Sequence, residues 1–293
     1  MIEAFLEAER RHIDQALSTL LPPEDAWPQD LHRAMRYAVL AGGKRLRPIL
    51  FRLGHALAGG NADDVLEASC GVELIHTYSL VHDDLPAMDN DTLRRGKPTV
   101  HVVFGEALAI LAGDALLTEG FRILASYPEG QGWAARRAEV CRVVAEAVGS
   151  VGMAGGQVED LAASGAPPDP ERLARIHEAK TARFLAACLA CGAVLANAPE
   201  AFVSELERFG LRLGLAFQIA DDILDVTATP EELGKSPGKD HAQEKLTYPR
   251  VFGLEESRAH LGRLAAELAA EARRLDPQGL LGELVGFVCG RRG

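Results

Sequence analysis

Along most of the chain apolar residues return every three or four positions, and Ala, Leu, Glu and Arg, which lose least on entering a helix, fill the gaps. No run shows the period-two alternation of a half-buried strand. The pattern predicts an all-α chain, with helices over roughly 2–20, 29–41, 47–59, 62–85, 101–126, 132–162, 170–196, 199–226, 254–274 and 277–290. Leu21-Pro22-Pro23, Gly42-Gly43, Gly59-Gly60-Asn61, Tyr127-Pro128-Glu129-Gly130 and Ala166-Pro167-Pro168-Asp169-Pro170 mark loops between them. None is long enough to link domains, so residues 1–293 are expected to form one domain. The single long irregular stretch, Thr227 to Lys245, carries Pro230, Gly234, Pro237 and Gly238 beside Lys235, Lys239 and Asp240, and a loop of that length in a helical domain is commonly functional.

Charged residues break the pattern at two places. In HTYSLVHDDLPAMDNDTLRRGKPT, His76 to Thr99, an apolar run meets Asp83, Asp84, Asp89 and Asp91 and then turns basic at Arg94, Arg95 and Lys97. Carboxylates this close repel and raise one another's pKa unless a cation lies between them. Asp83 and Asp89 would stand about 240° apart around a continuous helix. Pro86 disfavours helix at Leu85, so the chain is expected to leave the helix there and curl Asp89 back toward Asp83. The second place is FQIADDILD, where Asp221 and Asp225 differ by about 40° around a helix axis and share a face, with Asp222 beside them. Either motif alone reads as a solvated helix face or cap. Together, each closing a long apolar run, they put charge at the rim of a core, where bound cations remove the cost. All-oxygen donors suit Mg²⁺, which takes one or two carboxylates and completes its shell with phosphate oxygens and water.

Cations supply the complement. In GGKRLRP, Gly42 to Pro48, Lys44, Arg45 and Arg47 follow two glycines at a predicted helix start, where free backbone N–H groups also favour an anion. Arg94, Arg95, Lys180 in HEAKTARF and Lys235 bring the number to what two diphosphates need. Each alone reads as a surface residue, and His76 alone reads as a core histidine. The grouping beside the carboxylates is what points to phosphate.

Composition narrows the field further. Hydrophobic residues make up 47% of the 293 and charged residues 25%, the balance of an ordinary globular protein. An excess of 42 acidic over 31 basic residues, net −11, argues against a nucleic-acid partner and makes any anion site local. The start, MIEAFLEAERRHIDQAL, has acidic residues from its third position and does not read as a secretory signal, so cytoplasmic residence is expected. No run of about 18 apolar residues is free of charge, and no stable membrane insertion is expected. The five cysteines, at 70, 141, 188, 191 and 289, sit mostly among apolar neighbours and read as buried reduced thiols. Cys188-x-x-Cys191 has no second pair at zinc spacing and reads as helix packing.

GGKRLRP, ELIHTYSLVHDDLPAMDNDTLRRGKPT, KTARF, FQIADDILD, GKSPGKD and KLTYP, in that order, resemble the motif series of the trans-isoprenyl diphosphate synthases, nearest the bacterial farnesyl diphosphate synthases. The resemblance runs over roughly residues 36–250. It implies a single-domain helical bundle around a deep central cavity, normally a homodimer, that joins isopentenyl diphosphate to an allylic diphosphate such as dimethylallyl or geranyl diphosphate. It further implies that Asp83, Asp84 and Asp89 with Asp221, Asp222 and Asp225 hold three Mg²⁺ ions against the allylic diphosphate. Arg94, Lys180 and Lys235 match positions gripping that group, and Lys44, Arg47, His76 and Arg95 match the isopentenyl diphosphate site. Thr181 and Gln218 match residues near the breaking bond, while Tyr78, an aromatic five residues before the first motif, matches the position that limits product length to farnesyl diphosphate. Asn90 departs, standing where relatives often have another aspartate.

Charge then gives the chemistry. An alkyl diphosphate ionises when its leaving group is neutralised, which metal ions and Lys and Arg clamps achieve without a nucleophilic side chain. Rival readings are a geranylgeranyl or other short-chain synthase, a class I terpene cyclase, and a non-catalytic partner subunit of a prenyl synthase. The cyclase has no need of GGKRLRP, and the partner subunit would lack one aspartate motif. A carboxylate di-iron bundle is suggested by Glu9-x-x-His12 and Glu73-x-x-His76 but needs two further inward glutamates.

Overall fold

In the computed structural model, which describes residues 2–227 and 245–290, the three-and-four periodicity folds into helices. The chain forms two compact units, one of Glu3–Cys141 with Val194–Asn197 and the other of Arg142–Ala193 with the chain from Ala198 on. In the first unit lie α1 (Ile2–Leu20), α2 (Gln29–Val39), α3 (Leu46–Leu57), α4 (Leu66–Asp83), a two-residue hairpin of β1 (Leu93–Arg94) and β2 (Lys97–Pro98), α5 (Val100–Phe104) and α6 (Glu106–Ser126). Helix α7 (Ala134–Val148) follows. The second unit holds α8 (Met153–Ala163), α9 (Pro170–His177), a π-helical turn (Glu178–Ala182), α10 (Arg183–Leu195), α11 (Glu200–Thr227), α12 (Tyr248–Phe252), α13 (Leu254–Leu275) and α14 (Leu280–Cys289).

Helix α4 is the axis of the first unit. Every residue from Ala68 to Ile75 is buried, and the helix packs against α3 and, most extensively, α6. At Gly71 and Gly120 the two backbones touch: a Cβ on either would lie 2.8 Å from the other's carbonyl oxygen, so only glycine permits the crossing. Ile13 and Leu17 of α1, Met35 and Val39 of α2, Ile49 of α3 and Leu116 and Ile123 of α6 fill the surrounding core. In the second unit α11 is central, packed against the π-helical turn, α13 and α14, and Phe184, Phe209, Leu213, Leu268 and Leu284 are almost fully buried.

Several breaks in the helices lie where periodicity gave none. The stretch expected as one helix over 101–126 divides at Gly105, whose φ of +85° is left-handed. That over 132–162 divides between Val148 and Met153, and that over 170–196 contains the π-helical turn. The hairpin was not expected: Arg95 and Gly96 both have positive φ, 54° and 74°, the requirement of the tight turn that joins antiparallel strands in two residues. Helix α9 starts as its sequence dictates, with the Asp169 side chain accepting from the N–H groups of Glu171 and Arg172 and Pro170 at the first position.

None of the five cysteines forms a disulfide, and Cys70, Cys188 and Cys191 are buried, the last two inside α10. Burial pushes the Cys70 thiol well up. Among the described residues no helix is long and apolar enough to cross a membrane.

Candidate functional site

Helix α4 ends at Asp83, three residues before Pro86, and the chain folds back on its last turn. The Asp89 N–H donates to the Asp83 carbonyl at 2.9 Å, and Asn90 and Asp91 donate to the carbonyls of Leu85 and Asp84. Thus the backbone carries Asp89 round beside Asp83, the curl expected from Pro86. Asp84 turns elsewhere. It is buried, and Arg94 forks onto it, with Nε 2.8 and 2.9 Å from the two oxygens and an Nη 2.6 Å from the first. Burial raises the Asp84 carboxyl against the pull of that guanidinium. The hairpin reverses the chain immediately after Arg94, so the neighbouring Arg95 faces another way and donates to the Gly42 carbonyl.

Gly42 opens the cationic segment before α3. Lys44 is exposed, Arg47 lies half-buried in the first helical turn, and Arg45, between them with φ of 50°, points inward. It donates to Asp14, Glu73 and the Val39 carbonyl, each at 2.7 Å, so it is a strut of the fold and not part of an anion site. Glu73 and Glu9 are thereby spoken for, the latter by Arg52 at 2.6 Å, and neither is a spare iron ligand. His76 is half-buried, and its buried Nδ1 meets no hydrogen-bonding partner. Burial first, then the charges of Arg47, Arg95, Arg94 and Arg45, holds its pKa well below the ordinary value. Burial and the charges of Arg45, Arg94 and Arg47, opposed by Glu73, likewise disfavour the charged form of Arg95. In a chain with a net charge of −11, this is a local basic pocket whose repulsion an anion would relieve.

In the second unit Asp221 is half-buried while Asp222 and Asp225 are buried on α11. The Asp222 carboxylate accepts from Gln218 Nε2 at 3.2 Å and from the Tyr248 N–H at 2.8 Å, and His177 Nε2 lies 3.4 Å away. Thr181 donates to Gln218 Oε1 at 2.8 Å, joining the two predicted residues to that carboxylate. Lys180 Nζ pairs with Asp160 at 2.6 Å. Both Lys180 and Thr181 sit in the π-helical turn, an irregularity common at functional sites. Lys235 lies outside the described residues.

Three residues escaped the sequence reading. Asp160 orients Lys180; His177 stacks on Tyr248, rings 5.6 Å apart; and both amide atoms of Gln157 are buried without a hydrogen-bonding partner. Gln157 and Asp160, three apart on a stripe otherwise made of Met153, Gly156 and Ala163, were legible as a polar pair interrupting a buried helix face. Among the described residues no three of His, Cys, Asp and Glu gather into a ready metal site.

The chain matches the family model described as polyprenyl synthetase over residues 28–276. It is 44% identical over 254 residues to a farnesyl diphosphate synthase of Bacillus subtilis, covering 87% of this chain and 86% of that one. It is 43% identical over 283 residues to the chloroplastic geranylgeranyl pyrophosphate synthase 12 of Arabidopsis thaliana, covering 96% and 76%. Among solved structures, the geranyltransferase of Helicobacter pylori complexed with magnesium and isoprenyl diphosphate superimposes with a TM-score of 0.85 at 33% identity, covering 98% and 96%. With all-α architecture, paired aspartate motifs and a matched length of this extent, the chain belongs to the polyprenyl synthetase family and is a short-chain prenyltransferase.

Proposed function

We propose that the chain condenses isopentenyl diphosphate with dimethylallyl and then geranyl diphosphate, yielding mainly farnesyl diphosphate, as one domain over residues 1–293. What supports the product length is Tyr78: on α4 it lies about 7.5 Å along the axis from Asp83, half-buried against the core of its unit, and on this reading its aromatic ring would end the space for a growing chain. The relatives divide between farnesyl and geranylgeranyl products, so a geranylgeranyl synthase is the competing reading.

Asp83, Asp89, Asp221 and Asp225, with Asp84 and Asp222 beside them, are the carboxylates for Mg²⁺, three ions on this reading. Their all-oxygen chemistry fits an ion whose remaining shell substrate phosphate and water would complete. When bound, Mg²⁺ neutralises the departing diphosphate. Arg94, Lys180 and Lys235 grip that group; Lys44, Arg47, His76 and Arg95 seat isopentenyl diphosphate. The allylic carbon–oxygen bond breaks with its electrons leaving on the diphosphate, and the isopentenyl double bond forms the new carbon–carbon bond. Loss of a proton to the departed diphosphate then restores an alkene. The oxygens of Thr181 and Gln218 face the cation as dipoles without attacking it.

Homodimer formation and cytoplasmic residence complete the reading. Val102 and Val103 of α5 and Ile110 and Leu111 of α6 are large apolar residues left exposed, which a second copy would cover. Incubation with Mg²⁺, isopentenyl diphosphate and dimethylallyl diphosphate, followed by phosphatase and chain-length analysis, is expected to yield farnesol. Chelation should abolish turnover, and Tyr78→Ala should move the product to twenty carbons or more. A folded, active Tyr78→Ala variant that still stops at fifteen carbons would show that the floor lies elsewhere.

A further inference from the structure

Helices α4 and α6 meet again beyond the Gly71–Gly120 crossing, at His82. A Cβ on Gly113 would lie 2.1 Å from His82 Nε2, 2.4 Å from Cδ2 and 2.9 Å from Cε1, so the imidazole occupies the space a side chain there would fill. His82 Nε2 is 3.0 Å from the Ile110 carbonyl, which fixes Nε2 as the protonated nitrogen in the neutral ring, and 3.9 Å from Asp114. One turn back along α4, the Tyr78 ring meets the imidazole edge to face, with centroids 5.7 Å apart and planes at 84°. A tyrosine half-buried on a helix flank has room to change rotamer unless something bears on it; here a ring locked into the neighbouring helix does so.

We propose that His82 is a positioning residue for product length: seated in the Gly113 socket and bonded to the Ile110 carbonyl, it braces the Tyr78 ring across the path of the growing chain. This rests on the reading of Tyr78 as the floor. Removing the brace leaves the tyrosine in place but lets it swing, so a fraction of farnesyl diphosphate is carried through another condensation. The aspartates and cations assigned to the diphosphates are untouched.

The test compares His82→Ala, Gly113→Ala, Tyr78→Ala and the double variant Tyr78→Ala/His82→Ala by product distribution and by the rate of the first condensation from dimethylallyl diphosphate. Gly113→Ala raises helix propensity while expelling the imidazole, so it reports on the brace even should His82→Ala fold poorly. His82→Ala and Gly113→Ala should each raise the ratio of twenty- to fifteen-carbon product by about two- to tenfold, the factor equivalent to an edge-to-face aromatic contact. The first-condensation rate should stay unchanged, and the double variant should match Tyr78→Ala alone, because His82 acts only through the tyrosine. Unaltered product in both single brace variants, with Tyr78→Ala lengthening it, overturns the brace and leaves the floor standing. A double variant longer than Tyr78→Ala also overturns it, by showing that His82 limits the chain directly. If Tyr78→Ala does not lengthen the product, the floor reading itself has failed and the brace falls with it.

Discussion

Burial and then the charges of Arg47, Arg95, Arg94 and Arg45 depress the pKa of His76 in the folded chain and so favour its neutral imidazole form. In the unfolded chain it titrates near about 6.5. Below that pH the unfolded state binds a proton that the folded state refuses, so stability falls as the solution is acidified. The His76→Gln variant is therefore expected to lose less stability than the parent between about pH 7.5 and about pH 5.5, as read by denaturant midpoints. Equal losses in both would show that His76 is not protected from protonation. At this scale the aspartate motifs and most of the cations were legible as residue types at telling spacings. What spacing could not reveal is which member of a charged group turns inward. Arg45 and Arg47 look alike in GGKRLRP, yet Arg45 is drawn into the core by Glu73, Asp14 and the Val39 carbonyl. Asp83 and Asp84 look alike too, yet it is Asp84 that is buried and clasped by Arg94.

Helices were the most legible elements because a buried stripe must repeat every three or four residues, and α1, α4 and α11 end close to where the pattern stops. Interruptions were not. The π-helical turn lies inside an unbroken apolar pattern, so the wider turn leaves no trace in spacing, and two-residue strands are too short to alternate. The Arg95-Gly96 turn has arginine where asparagine or aspartate is the usual signal. The start of α3 was foreseen, and it carries a prediction. On the proposed reading, its first-turn N–H groups with Lys44 and Arg47 seat the diphosphate of isopentenyl diphosphate. Lys44→Ala and Arg47→Ala should each raise the KM for isopentenyl diphosphate by about ten- to a hundredfold, the loss of a charge-assisted contact. The KM for the allylic substrate should change far less. The reverse pattern in steady-state kinetics would mean that the two diphosphate sites are assigned the wrong way round.

For the molecule as a whole, the helical class was readable from the three-and-four apolar periodicity and the family from six motifs in order. The packing that holds the first unit together was less so, because it depends on ion pairs between residues far apart in sequence. Helix α1 looks in isolation like a solvated amphipathic appendage. In the fold its Asp14 and Glu9 hold the buried guanidiniums of Arg45 and Arg52. Chain termini are ordinarily where a protein tolerates trimming, and that tolerance depends on what the removed segment was bonded to. Deleting residues 1–20 would leave each buried arginine one carboxylate short, Arg45 keeping Glu73 and Arg52 keeping the exposed Asp63, at a cost of about 1.5–3 kcal/mol each. With the fully buried Ile13 and Leu17 removed as well, the loss is a large share of the roughly 5–15 kcal/mol that stabilises a whole domain. The truncated chain is expected to lose its cooperative thermal transition by circular dichroism, and a sharp transition near that of the full chain would show the clasp to be dispensable. The segment that a protein engineer would shorten first is thus one on which the unit's integrity depends.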